Sequence, residues 1–171
     1  MDWQTKQRKF STLVISGNQA LEDENYEDAL KIFQQALKLD PAAKVKLTPK
    51  LLKCYRKEVT KMKNKCDYYG MIQTIQTMKE LDNSLENIKS IDYKNLGIAY
   101  FHMKKFEEAK KAFSDARELK PDITEIDLYL NKIKAEEIYG NLQNIKNKDP
   151  YTQFKELKEK EKKKKKKRNW F

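Results

Sequence analysis

The feature that most restricts this chain is an internal repeat. From Gly17 the sequence sets Ala20, Tyr26, Ala29, Phe33, Ala36 and Pro41 at offsets of 3, 9, 12, 16, 19 and 24 residues. From Gly97 the same offsets return Tyr100, Phe106, Ala109, Phe113, Ala116 and Pro121. Small, aromatic and proline positions recur in one order, which is how a stacked array of supersecondary units is written in sequence. The spacing suits a helix hairpin. Gly17 and Ala29, like Gly97 and Ala109, lack the bulk that would hold two antiparallel helices apart, and Tyr26 or Phe106 fills the space beside the turn. Ala36 and Ala116 let the next hairpin approach. Pro41 and Pro121 stop the second helix, because proline cannot donate to the helical ladder and biases the residue before it away from helical backbone.

These residues resemble the tetratricopeptide repeat family, whose units of about 34 residues carry this small, aromatic, small, proline pattern. Ser16-Gly17-Asn18, Asn25-Tyr26-Glu27-Asp28-Ala29-Leu30 and Leu39-Asp40-Pro41 follow it, as do Leu96-Gly97 and Lys105-Phe106-Glu107-Glu108-Ala109. The two matched units lie 80 residues apart, so a further unit and 12 additional residues are expected between them. Anchored on Val59, the offsets reach Met62, Tyr68, Met71, Ile75, Met78 and Asn83, which keeps the apolar pattern but replaces the glycine, both alanines and the proline. The fold expected is all-α: a tetratricopeptide helix-hairpin array with repeats at about 10–43, 52–85 and 90–123, the middle one degenerate. The additional residues divide as 8 ahead of the middle repeat, around Ala42 to Lys50, and 4 after it, around Ser84 to Ser90.

Helix boundaries follow from local signals. Thr48-Pro49 reads as an N-cap with proline in the first turn, opening the first helix of the middle repeat. Ile123, Ile126, Leu130 and Ile133 form one apolar stripe, expected on a capping helix over 122–139 that Gly140 ends. Repeat arrays need such a cap. Residues 1–145 are then the repeat domain, and 146–171 a lysine-rich C-terminal helix and tail that opens at Asp149-Pro150 and carries Tyr151, Phe154 and Leu157.

Composition agrees with helices and narrows the function. Only 4 Gly and 4 Pro occur in 171 residues, too few for a barrel or sandwich built on tight turns. The net charge is +11, of which +7 sits in the last 21 residues and +4 in the rest. Basicity is therefore a property of the tail. Two cysteines, Cys54 and Cys66, make no disulfide framework, and one histidine, His102, leaves no set of zinc ligands, so neither a metal nor another cofactor is expected. No phosphate-cradling glycine loop occurs and neither cysteine has a base suggested beside it, so the chain is expected not to be an enzyme. Cys54 reads as core. The start, Met1 to Phe10, lacks the apolar stretch of a leader and no run of 18 apolar residues occurs, so a cytoplasmic place is expected, nuclear or cytoskeletal being the alternatives.

The family resemblance implies that the first helix of each hairpin faces a groove for a partner segment. On that face stand Ser11, Val14, Asn18, Leu21 and Glu22, then Lys53, Arg56, Thr60, Lys63 and Asn64, then Ile91, Lys94, Ile98, Phe101 and His102. The candidates for partner contact are Asn18, Lys53, Arg56, Thr60, Lys63, Lys94, Ile98, Phe101 and His102. The layout is similar to the three-repeat modules of co-chaperones and immunophilins, whose clamp of lysines, an arginine and asparagines grips an acidic chaperone tail. Here only Asn18 matches that clamp; Val14, Lys57, Ile91 and Asn95 occupy the other positions, so a chaperone tail is not the expected ligand. The second candidate surface is the run Lys162, Lys163, Lys164, Lys165, Lys166, Lys167 and Arg168. With 33 Lys against 4 Arg and no aromatic residue interleaved before Trp170, it suits an acidic protein surface or RNA phosphates rather than base readout. The expected function is a non-enzymatic adaptor or scaffold. An RNA- or ribosome-associated factor, a structural subunit of a cytoskeletal or ciliary assembly, and a co-chaperone are the alternatives. Trp170 and Phe171 alone do not anchor a membrane.

Overall fold

In the computed structural model, which describes residues 2–146 and 158–159, helices are joined by short turns and connections, and among these residues no strand occurs. Among the described residues α1 (Trp3–Glu22), α2 (Tyr26–Leu39), α3 (Lys44–Asn64), α4 (Tyr68–Leu81), α5 (Ser90–His102), α6 (Phe106–Leu119) and α7 (Thr124–Lys146) follow one another, with one 3₁₀ turn at Pro41–Ala43. The chain divides into two compact units, Met1–Ile126 and Asp127–Phe171. In the first, α1 packs on α2, α3 on α4 and α5 on α6, and each hairpin packs on the next through α2 with α3 and α4 with α5. That is a hairpin array.

The hairpins share their turn chemistry. Glu24, Cys66 and Lys104 sit at φ of 56°, 58° and 57°, the left-handed region that ends a helix. In each turn the following amide reaches back across the helix end: Asn25 to the Ala20 carbonyl, Asp67 to Met62 and Lys105 to Tyr100, at 2.8–2.9 Å. Asn25 and Asp67 then cap the next helix, their side chains accepting from the Asp28 and Gly70 amides. All three second helices have 14 residues.

The core sits where the hairpins cross. Ala29, Phe33, Ala36, Ala109, Phe113 and Ala116 are inaccessible to water, and in the middle hairpin Met71 and Met78 replace the alanines with no loss of burial. A Cβ on Gly17 would lie 2.7 Å from Phe33, and one on Gly97 would lie 2.5 Å from Phe113. Each glycine makes room for a ring. Val59 and Ile75, both buried, take these two places in the middle hairpin, so the larger residue at the first position meets a smaller one at the second.

The intervening residues take two forms. Helix α3 begins at Lys44, four residues before Thr48, so the expected cap at Thr48-Pro49 is corrected: the Thr48 hydroxyl donates to the Lys44 carbonyl at 2.8 Å and Pro49 lies inside the helix. The residues before the middle repeat thus lengthen α3 at its N-terminal end. Those after it form the connection 82–89, organised around buried Asp82, whose carboxylate accepts from the Asn87 amide at 2.7 Å and the Ser84 hydroxyl at 3.1 Å. Helix α7 also differs from expectation, running from Thr124 to Lys146 without stopping at Gly140. Glycine costs a helix only about 1 kcal/mol, too little to end one by itself. The expected helix from Pro150 lies outside the described residues.

Candidate functional site

Helix α3 carries Lys46, Lys50, Lys53 and Lys57 at spacings of four, three and four residues, which places them on one face. The upper part of that row runs beside the first hairpin. Lys50 donates to Asn18 on α1 and stands 5.6 Å from the centre of the Phe33 ring. The Lys53 and Lys57 ammonium groups lie 5.8 and 4.8 Å from the centre of the Tyr26 ring. Among the described residues Lys50, Lys53 and Lys57 form no ion pair. The result is a cationic strip, with an amide and an aromatic face beside it.

The other basic candidates are engaged within the chain. Arg56 holds Asp92 with two parallel bonds, Nε to Oδ1 at 2.9 Å and Nη2 to Oδ2 at 2.6 Å, and its Nη2 also donates to the Asn87 carbonyl at 2.6 Å. The Asp92 side chain is 3% exposed and accepts in addition from the Lys89 amide at 2.9 Å. Arg56 therefore ties α3 to the start of α5 and to the 82–89 connection. Lys94 on α5 meets Glu125 at 2.5 Å, and Lys63 on α3 approaches the same carboxylate at 3.8 Å. Hydrogen bonding and charge from Lys94, with Lys63 adding to them, hold the Glu125 carboxyl below its ordinary value.

The remaining candidates separate by burial. Ile98 is 1% exposed, so its expected place in the groove is corrected: it belongs to the interior of the third hairpin and cannot touch a partner. Thr60 is exposed and its hydroxyl donates back to the Arg56 carbonyl at 2.9 Å. His102 stacks on Tyr68 with ring centres 4.2 Å apart and planes 6° from parallel, and Phe101 meets the edge of His102 at 5.3 Å and Phe106 at 6.0 Å. Lys162 to Arg168 lie outside the described residues. Lys50, Asp92 and Glu125 escaped the sequence reading, which marks Tyr26 only as a packing position. Only Lys50 had a signal there, its spacing from Lys53 and Lys57.

Cys54 is buried, and burial pushes its thiol up to about 11, which leaves it protonated and unreactive at neutral pH. Among the described residues no group of three His, Cys, Asp or Glu side chains could hold a metal ion, and no helix is long and apolar enough to cross a membrane.

The repeats are of a known kind. Residues 17–42 and 92–123 each match the tetratricopeptide repeat. The chain carries tetratricopeptide repeats, and its fold is the helical array they build. Among solved structures it is similar to the C-terminal tetratricopeptide domain of a putative FK506-binding protein from Plasmodium falciparum, at 20% identity and a TM-score of 0.55, covering 80% of this chain and 96% of that one. The first tetratricopeptide domain of Spaghetti (RPAP3), bound to the HSP90 peptide SRMEEVD, aligns at 23% identity over 75% of this chain and 93% of that one, with a TM-score of 0.43. No curated protein matches. Arrays of this kind present extended binding surfaces, so a protein-interaction role in general follows from the repeats.

Proposed function

We propose that this protein is a non-enzymatic adaptor that holds an acidic segment of a partner protein along the strip formed by α1, α3 and α5. One observation carries the reading: Lys50, Lys53 and Lys57 stand in a row beside Asn18 and Tyr26, and among the described residues no carboxylate is paired to them. Lys53, Thr60, His102 and Asn18 supply the partner contacts, and Phe101 backs His102. Arg56, Lys63 and Lys94 hold the hairpins in register beneath the strip. Residues 1–145 act as the repeat domain and 146–171 as a lysine-rich tail, in which Lys162 to Arg168 fasten the complex to an acidic protein surface. The setting is cytoplasmic.

Titration with short acidic peptides, read by fluorescence polarisation, tests the strip. Lys53→Glu combined with Lys57→Glu is expected to weaken capture by about 1–3 kcal/mol, the loss typical when charged contacts reverse. Capture unchanged by the double substitution would move the site elsewhere. A salt titration with single-stranded RNA separates the tail's two targets: RNA phosphates would give log K falling with log salt at about 0.7 per contact, whereas an acidic protein target leaves RNA unbound at physiological salt.

A further inference from the structure

Helix α7 is apolar on two opposite sides. Ile126 and Ile133, on one side, are buried. The other side presents Leu128, Ile138, Tyr139 and Leu142, which are 52–63% exposed. Apolar side chains gathered on one exposed helix face mark a surface that a partner covers. The exposed residues have a definite period: Leu128, Ala135 and Leu142 recur every seven residues, and Asn131 and Ile138 repeat the same step three residues on, with Ile145 at the next position of that step in the sequence. That is the a and d pattern of a coiled-coil seam, and in the sequence it does not continue, since Asp149 and Thr152 occupy the next two positions.

We propose that α7 pairs with α7 of a second copy of this chain in a parallel, in-register two-stranded coiled coil. A heptad seam is self-complementary, because each knob fits a hole formed by the same residues on a twin helix, and a twofold pair buries both stripes at once. Asn131 selects the orientation. In register it meets Asn131 of the second copy and the two amides satisfy each other. In the antiparallel arrangement it would face Leu142 and bury an unpaired amide, a loss of about 1–3 kcal/mol. The flanking positions bring no like charges together in the parallel form: Asp127 lies opposite Lys132, and Lys134 opposite Tyr139. The seam covers only residues 128–145, so the pair is expected to be a reversible one.

Sedimentation equilibrium of the full chain over a range of concentrations tests this. The expected result is a reversible monomer–dimer equilibrium that Ile138→Glu with Leu142→Glu shifts to monomer while circular dichroism stays unchanged, because both side chains are exposed. Asn131→Leu is expected to leave association intact or tighten it, with the orientation no longer fixed. In chains labelled through Gln143→Cys, an exposed position outside the seam that leaves Asn131 in place, with Cys54→Ala and Cys66→Ser removing the native thiols, spectroscopic distances should place the two labels at the same height along the pair. A chain that is monomeric throughout overturns the proposal. So does a dimer that survives the double glutamate substitution, or labels held far apart.

Discussion

At the scale of single residues, the array turns on pairs of positions whose volumes compensate. Gly17 with Phe33 and Gly97 with Phe113 put the smallest residue against a large ring, while Val59 with Ile75 divides a similar volume more evenly. The rings are fully buried and cannot swing away, so adding one methyl group must strain the crossing. Gly97→Ala is expected to destabilise the protein by about 1–3 kcal/mol in urea unfolding. Phe113→Leu in the same chain should return part of that loss, because it recreates the division of volume already used by Val59 and Ile75. If the two substitutions cost their simple sum, the close approach of ring and glycine is not what limits packing there. Such compensation also shows why the middle repeat could be read from its apolar spacing: its residue types changed, but the places that must be filled did not.

At the scale of elements, three hairpins with the same turn and the same second helix are joined by connections of different design. Proline at 41 and 121 marked the helix stops correctly in the sequence, since a missing donor acts wherever it falls. Thr48-Pro49 misled for a related reason. The signature is local, yet the 3₁₀ turn at Pro41–Ala43 starts the helix sooner, and the carbonyl of Val45 left without a donor by Pro49 lies on an exposed stretch that water can serve. The longer connection depends on one side chain of the neighbouring hairpin. Arg56 holds Asp92 and the Asn87 carbonyl together, and removing it leaves a nearly inaccessible carboxylate without its counter-charge. Arg56→Ala is expected to cost about 3 kcal/mol, and Arg56→Lys to recover little, because a point charge cannot make the two parallel bonds. Hydrogen exchange should then show opening of 82–92 before the first hairpin opens. Uniform loss of protection across all three hairpins would refute a local role for this pair.

At the scale of the whole molecule, the hairpins and their register were legible because they follow from spacing along the chain, whereas the binding face was legible only in part. Arg56, Lys63 and Lys94 look in sequence like free cations on a groove, and their counter-ions arrive from 36 residues away for Arg56 and 31 for Lys94. Which lysines stay available is decided by those long-range pairs, leaving the row on α3. The pairing also makes one part of the stability depend on pH. Lys94 holds the Glu125 carboxyl below its ordinary value of 4.5, so the folded state binds this proton less readily than the unfolded chain. Its contribution to stability is complete above that value and is lost as pH falls through the lower, folded one. Because the net charge of +11 grows as carboxylates protonate, every form of the chain weakens in acid, and the informative quantity is a difference between two forms. Thermal melts of the native chain and of Glu125→Gln should be separated at pH 7 and converge as pH falls below the ordinary carboxylate value of 4.5 and through the lower, folded one. Since Glu125 is 39% exposed, molar salt at pH 7 should narrow the separation as well. A gap that stays constant from pH 7 to pH 3 would mean that the Lys94–Glu125 pair contributes nothing to the fold, and the same melts on Lys94→Met would have to show no pH-dependent difference either.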